Sequence, residues 1–251
     1  LMSFNEVSVE PYSYRKQINS IYGAVNLGWK HMLYFDATLR GDQSSTLPIS
    51  NNMYIYPSFS GSFVFSELLK LGDKLPYGKV RMSWAQVGSD TDPYQLGLVY
   101  TKSKFAYPGY TIGYISNGTI PNKDLKPTKT NSFEMGLELK FLKNRIGLDF
   151  TYSSQLSKNQ IMGMASSSTS GYGYRLINAG EIENKGVEIA LNTRPIQTKD
   201  FSWDLNFNFS KNSNKVKKLV DDMDMFELEK ATWLDVQVAA KVGENFGSIV
   251  G

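Results

Sequence analysis

Two adjoining stretches decide the fold: Ser132-Phe133-Glu134-Met135-Gly136-Leu137-Glu138-Leu139-Lys140-Phe141, and Ile146-Gly147-Leu148-Asp149-Phe150-Thr151-Tyr152-Ser153. In the first, Phe133, Met135, Leu137, Leu139 and Phe141 alternate with Ser132, Glu134, Gly136, Glu138 and Lys140. In the second, Ile146, Leu148, Phe150 and Tyr152 alternate with Gly147, Asp149, Thr151 and Ser153. Successive side chains of a strand point to opposite faces, so this period of two gives each segment one apolar and one polar face. Lys143-Asn144 between them supplies a tight turn, and the pair reads as an antiparallel hairpin.

The same pattern extends in both directions. Ile21, Val25, Leu27 and Trp29 oppose Tyr22, Ala24, Asn26, Gly28 and Lys30. After a turn at His31-Met32, Leu33, Phe35, Ala37 and Leu39 oppose Tyr34, Asp36, Thr38 and Arg40. Further strands carry Phe59, Phe63 and Phe65, then Val80, Met82 and Trp84. Beyond the central hairpin come Val187, Ile189 and Leu191, then Trp203, Leu205, Phe207 and Phe209. Gly247-Ser248-Ile249-Val250 has the look of a ninth strand beginning.

Each strand runs about ten residues. At about 3.3 Å per residue and a tilt near 40°, that spans roughly 25 Å, the height of the apolar band of an outer-membrane barrel. Soluble strands are usually about five or six residues long. The connections alternate between short turns and long segments, the asymmetry of an outer-membrane barrel with its short turns periplasmic. The predicted class is all-β: an antiparallel transmembrane β-barrel, of which about eight to nine strands lie here.

Composition agrees. Aromatics reach 13% of 251 residues, with 15 Tyr and 14 Phe. No stretch of 18 consecutive apolar residues exists, so no helix spans a membrane. Barrel strands do not need one, because alternation keeps their average hydropathy low. There is no Cys, which excludes disulfides and thiolate metal sites. A net charge of +3 is too weak a signal for a nucleic-acid partner. Leu1 to Glu10 lack the basic start and apolar core of a signal peptide.

Two segments read differently. Ser66 to Tyr77 has room for one helical turn, and Asp221 to Lys230 for a short helix in a surface loop. An open sheet leaves unpaired N–H and C=O groups in lipid, so these strands either close on themselves or belong to a larger wall. The apparent strand start at Gly247–Gly251 favours the larger wall. Two other readings remain open: a self-contained eight-stranded outer-membrane structural or adhesion protein, and a secreted carbohydrate-binding β-sandwich.

Functional candidates follow from the faces. Polar strand residues Asp36, Arg40, Arg81, Glu134, Glu138, Asp149 and Glu188 are expected to line the lumen. Trp29, Phe65, Phe141 and Trp203 fall near short-turn ends, where amphipathic rings anchor at the lipid–water boundary. The segment from Ser89 to Lys129 carries Tyr94, Tyr100, Phe105, Tyr107, Tyr110 and Tyr114. Such rings stack on apolar sugar or peptide surfaces, and phenol hydroxyls add hydrogen bonds. They are candidates for contact with cargo or a partner. The sole His, His31, sits in a turn without a visible catalytic companion, so no catalytic residue is assigned. No metal site or cofactor is assigned either; the carboxylates of Asp221, Asp222, Asp224, Glu227 and Glu229 lack the spacing of a known calcium loop and read as a solvated acidic run.

Asn122-Lys123-Asp124-Leu125-Lys126-Pro127, followed by Thr130-Asn131-Ser132-Phe133-Glu134-Met135-Gly136-Leu137, resembles the N-x-x-L-K-P…T-x-S-x-E-x-G-L signature of TonB-dependent outer-membrane transporters. Ser168-Thr169-Ser170-Gly171-Tyr172 and Asn178-Ala179-Gly180-Glu181-Ile182-Glu183-Asn184-Lys185-Gly186-Val187-Glu188 resemble the SusC/RagA branch. So do Ser20-Ile21-Tyr22-Gly23-Ala24-Val25-Asn26, Tyr56-Pro57-Ser58 and the stretch from Val80 to Gly88. The resemblance covers the chain from about Ser20 onward. It implies a 22-stranded barrel with an N-terminal plug in the outer membrane of a Gram-negative bacterium. It also implies a SusD-like surface lipoprotein, the TonB complex as energy source, and oligosaccharide or peptide cargo. On that reading residues 1–251 are a middle-to-late part of the barrel. The plug, the TonB-binding peptide and the final strands then lie outside them.

Overall fold

The structure, a computed structural model, describes residues 13–70, 72–98, 100–102, 110, 113–115, 118–220, 223–230 and 236–251. Its main feature is one antiparallel sheet of long strands. In chain order these are β1 (Ile18–Trp29), β2 (Leu33–Ser44), β3 (Met53–Val64), β4 (Tyr77–Ser89), the short β5 (Tyr100–Lys102), β6 (Gly113–Ile115) and β7 (Thr119–Ile120), then β8 (Thr128–Phe141), β9 (Ile146–Ala165), β10 (Tyr174–Gln197) and β11 (Ser202–Lys218). The sheet order is β1-β2-β3-β4-β8-β9-β10-β11, with β7 added in parallel to the start of β10. Apart from the long excursion between β4 and β8, every strand pairs with its sequence neighbour. β5 and β6 form a separate ribbon within that excursion. A three-stranded sheet follows β11: β12 (Met225–Lys230), β13 (Gln237–Lys241) and β14 (Ser248–Val250).

The register keeps the apolar face continuous across the sheet. Trp29 pairs with Leu33, Leu33 with Phe63, Phe63 with Val80 and Val80 with Leu137. Leu137 pairs with Phe150, Phe150 with Ile189 and Ile189 with Phe209. A one-residue slip anywhere would send this row to the polar side, so one two-faced pattern fixes every register at once. The apolar face is uncovered: Leu27 is 60% exposed and Phe207 60% exposed. The compact apolar cluster lies elsewhere, where Val216 and Leu219 meet Phe226 and Ala240 of the small sheet, with Met162, Met164 and Leu228 against them. No second sheet covers the apolar face among the described residues, which removes the β-sandwich reading. β1 and β11 are the two edges and do not pair with each other.

Turn chemistry sets the short ends. Lys30 and His31 both take positive φ, as do Leu142, Lys143 and Asn144, the left-handed conformations that tight hairpins need. At the opposite end, Pro57 marks a break. It has no N–H to donate, and the β3–β4 ladder stops at Ser58↔Ala85, while β4 stays paired with β8 up to Ser89↔Thr128. The two strands splay beyond that point around a cleft of 330 Å³ lined by Ile55, Tyr56, Gln86 and Gly88.

The structure corrects several sequence expectations. Phe65 does not extend β3; it opens the short helix α1 (Phe65–Leu69), and its ring lies over Gly78. The helical turn expected after Ser66 is present there. Asp221 to Lys230 is not a helix: Met225–Lys230 is β12, while Asp221 and Asp222 lie outside the described residues. Ser248–Val250 is an edge of the small sheet, paired with β13, and not a ninth strand of the main one. Strands also exceed ten residues: β9 has 20, β10 has 24 and β11 has 17. Their hydrophobic pattern fades where the apolar band ends, but backbone pairing continues through polar residues.

Candidate functional site

The polar face carries most of the predicted lumen residues, and strand register brings several together. Arg81 on β4 reaches across β8 to β9. Its Nη2 donates to Thr151 Oγ1 at 2.7 Å and to Asp149 Oδ1 at 3.3 Å. Glu134 on the intervening strand lies 3.7 Å from Arg81 Nε. Gly136 makes this reach possible, because a Cβ there would sit 2.4 Å from Arg81 Nε. Asp36 accepts from Asn26 Nδ2 at 2.5 Å and from Ser60 Oγ at 3.1 Å. Glu138 pairs with Lys140 at 3.7 Å. Glu188 lines two adjoining hollows of 620 and 450 Å³ that also share Ser210. Asn184, Asn208 and Asn212 line them too, giving neutral donors and acceptors suited to hydroxyl or amide ligands.

Arg40, one of the predicted lumen residues, belongs to a second polar cluster whose other members escaped the sequence reading. Arg40 Nε donates to Asp42 Oδ1 at 2.9 Å, and the Tyr56 hydroxyl donates to Asp42 Oδ2. Asp90, just past β4, accepts from Lys16 Nζ at 2.7 Å, Ser44 Oγ at 2.5 Å and Thr46 Oγ1 at 3.2 Å. Burial pushes the Asp90 carboxyl up, but the hydrogen bonds from Lys16 and Ser44 outweigh it and hold its pKa below the ordinary value. A depressed folded-state pKa contributes stability above the unfolded value, about 4, and that contribution is lost as pH falls through the lowered value. Protection factors for hydrogen exchange in the connection between β2 and β3 are therefore expected to fall below about pH 4. Asp90→Asn should abolish that acid step; a variant that keeps it would rule Asp90 out as the cause.

The loop aromatics do not form one cluster among the described residues. The Tyr94 hydroxyl accepts from the Arg15 backbone N–H at 3.2 Å. Tyr100 is 71% exposed on β5 and Tyr110 is 74% exposed. Tyr114 lies on β6, opposite Thr101. Phe105 and Tyr107 lie outside the described residues. Of the anchor candidates, Trp29 and Trp203 are exposed at short-turn ends, with Lys30 Nζ 4.7 Å from the Trp29 ring centroid. Phe141 is half-buried at the end of β8.

The signature residues serve structure. Leu125 is fully buried. Next to it, the Asn178 side chain pairs with both backbone groups of Lys126: Lys126 N–H donates to Oδ1 at 2.8 Å, and Nδ2 donates to Lys126 O at 2.7 Å. Asn51 Nδ2 adds a bond to the Leu125 carbonyl at 3.3 Å. Gly180 has φ 74° and stands opposite Asn159, φ 55°, so the β9–β10 ladder kinks where this junction forms.

A single extended antiparallel sheet with an uncovered apolar face, a charged and amide-rich opposite face and short turns at one end is the wall of a transmembrane β-barrel. The family model described as "TonB dependent receptor-like, beta-barrel" matches residues 3–232, and the chain belongs to that family. It is 30% identical over 98% of its length to TonB-dependent receptor P3 of Formosa agariphila, covering 25% of that protein. It is 31% identical over 86% of its length to the TonB-dependent receptor SusC of Bacteroides thetaiotaomicron, covering 22% of it. A solved structure of the RagAB peptide transporter superposes with a TM-score of 0.81 at 22% identity, over 91% of this chain and 25% of that one. The SusC/RagA resemblance is thus upheld, and the chain spans about a quarter of the length of the relatives it matches.

Proposed function

We propose that this chain forms part of the barrel wall of a SusC-like TonB-dependent importer in the outer membrane of a Gram-negative bacterium. Its cargo is an oligosaccharide or a peptide. The observation that carries this reading is the strict separation of the faces in one register: Trp29 through Phe209 on one side, Arg81, Asp149 and Glu188 on the other. The apolar face meets lipid, and the polar face lines the lumen. Short turns lie on the periplasmic side. In such an importer a SusD-like lipoprotein covers the outside and TonB, acting on a plug, supplies energy. Both belong to the assembly around this wall. The description of RagAB as a peptide transporter supports the peptide part of this cargo class, and the name of SusC supports the TonB-dependent class. The unclosed sheet argues against an independent eight-stranded barrel.

The chain has no Cys, so single-cysteine labelling tests the faces directly. In the complete barrel in intact outer membranes, Asn208→Cys is expected to react with a small water-soluble maleimide at least tenfold faster than Phe207→Cys. Equal rates would reject the lumen and lipid assignments. Uptake is tested by deleting the complete gene and supplying oligosaccharides or peptides as sole carbon source. Unimpaired growth on both would reject an import role for these cargoes.

A further inference from the structure

The lysines of the outer half of the sheet are not shared between its two faces. On β8 to β11, seven lysines continue the apolar face beyond its hydrophobic band: Lys129, Lys158, Lys185, Lys211, Lys215, Lys217 and, opposite Glu181, Lys218. Register spreads them over four successive rows of this face, with Lys129 opposite Lys158 and Lys158 opposite Glu181 in the outermost, Glu183 opposite Lys215 in the next, Lys185 opposite Ser154 in the third and Val187 opposite Lys211 in the innermost. The other face of the same strands carries no lysine at this level; apart from Glu134 its side chains there are neutral, among them Ser132, Ser153, Asn184 and Asn212. Lys211 shares its row with Met135, Tyr152 and Val187, and the next row inward is wholly hydrophobic, with Leu137, Phe150, Ile189 and Phe209.

Only two carboxylates offset this charge. Glu183 takes Lys185 at 3.0 Å and Lys217 at 3.7 Å, and Glu181 takes Lys158 at 3.1 Å. Lys129, Lys211 and Lys215 are exposed and have no ion pair among the described residues. The patch is also local. At the same level β1 to β3 present Ile21, Gly41 and Ile55 on this face. A rim that merely needed solvation would carry its cations on both faces and on all strands.

We infer that this lysine patch is a docking surface for an outer-leaflet glycolipid whose phosphate groups stand directly above its acyl chains. This inference rests on the membrane reading above. Four strands at about 4.8 Å spacing make the patch about 14 Å wide, and six residues at about 3.3 Å each make it about 20 Å long, room for a headgroup with more than one phosphate. Acyl chains would lie on the hydrophobic band below while phosphates meet Lys129, Lys211 and Lys215. Charge complementarity selects the phosphorylated lipid, because a zwitterionic headgroup brings its own cation into the patch.

The test uses the complete barrel that carries this chain, purified in a mild non-ionic detergent and examined by native mass spectrometry. The probes are diphosphoryl lipid A, dephosphorylated lipid A and phosphatidylethanolamine. Diphosphoryl lipid A is expected to bind at least tenfold more tightly than the other two. The K129Q/K211Q/K215Q variant should lose that preference while keeping the heat-modifiable migration of a folded barrel. Equal binding of all three lipids, or an unchanged preference in the folded variant, overturns the inference. A variant that fails to fold is replaced by the single substitution K211Q, for which a weaker preference supports the patch and an unchanged one overturns it. A lipid-quenchable fluorophore on Leu205→Cys separates the two levels of argument. Quenching by lipid-borne quenchers with no phosphate preference rejects the patch alone; no quenching rejects the membrane reading beneath it.

Discussion

Phe150→Arg is expected to destabilise the folded barrel by about 2–4 kcal/mol, measured by reversible unfolding in lipid vesicles. Phe150 lies midway along the apolar part of β9, paired with Leu137 on one side and Ile189 on the other. Leu137, Leu148 and Ile189 around it offer no hydrogen-bond partner to a guanidinium, which must then drag water or headgroups into the hydrocarbon layer. Asp149→Asn, one residue away on the opposite face, is the matched control. Asp149 shares Arg81 with Thr151, and the pair is about one-third exposed on each side. Solvent screening limits its worth to roughly 1 kcal/mol or less. If Asp149→Asn proved the costlier change, the assignment of faces would be inverted.

A comparable loss is expected at a position without contact with lipid. Leu125→Ala should cost about 2–5 kcal/mol of local stability, because it empties a fully buried site at the junction of three chain segments. The connections before β3 and β8 meet there, tied by Asn51 and Asn178. The readout is limited proteolysis of the folded barrel, with earlier cleavage between β4 and β8. Lys126→Ala should change little, within roughly half a kcal/mol, because Asn178 grips the backbone and not the lysine side chain. Loss of protection in Lys126→Ala but not in Leu125→Ala would show that the lysine side chain, not the buried leucine, holds the junction.

These two sites differ in how far they were legible in the sequence. Phe150 and its neighbours announce themselves, because alternation is local and eight residues suffice to see it. Its outer limits were not legible. β10 begins at Tyr174, well before Val187, since residues such as Glu181 and Glu183 pair their backbones as well as a leucine would while contributing nothing to the hydrophobic pattern. Phe65 fits the alternation of β3, yet the chain leaves the sheet there and the ring folds back onto Gly78, a contact that only tertiary structure reveals. Individual polar residues of the site were readable as a class. Their partners were not: Arg81 and Asp149 lie 68 residues apart and meet because a third strand is inserted between theirs. Asp90 was missed because a single aspartate after a strand carries no periodic signal. Asn178 and Leu125 belonged to recognisable motifs, but the pairing of the two motifs emerged only in three dimensions.

The proline in β3 has a mechanical corollary. Bonds between β3 and β4 run only from Ser58 to Val64 on one side and Lys79 to Ala85 on the other, whereas β4 is stitched to β8 along its whole length from Tyr77 to Ser89. A sideways load on the rim at this end of the sheet therefore concentrates at the Ser58 end of that short joint. The three strands before it form one panel and the five after it another, hinged at Ser58 and joined beyond it through side chains, among them Lys16, Ser44 and Thr46 on Asp90 and Asn51 on the Leu125 carbonyl. Widening the mouth by parting these panels would break those side-chain ties first, and no bond of the β3–β4 ladder until the separation reached Ser58.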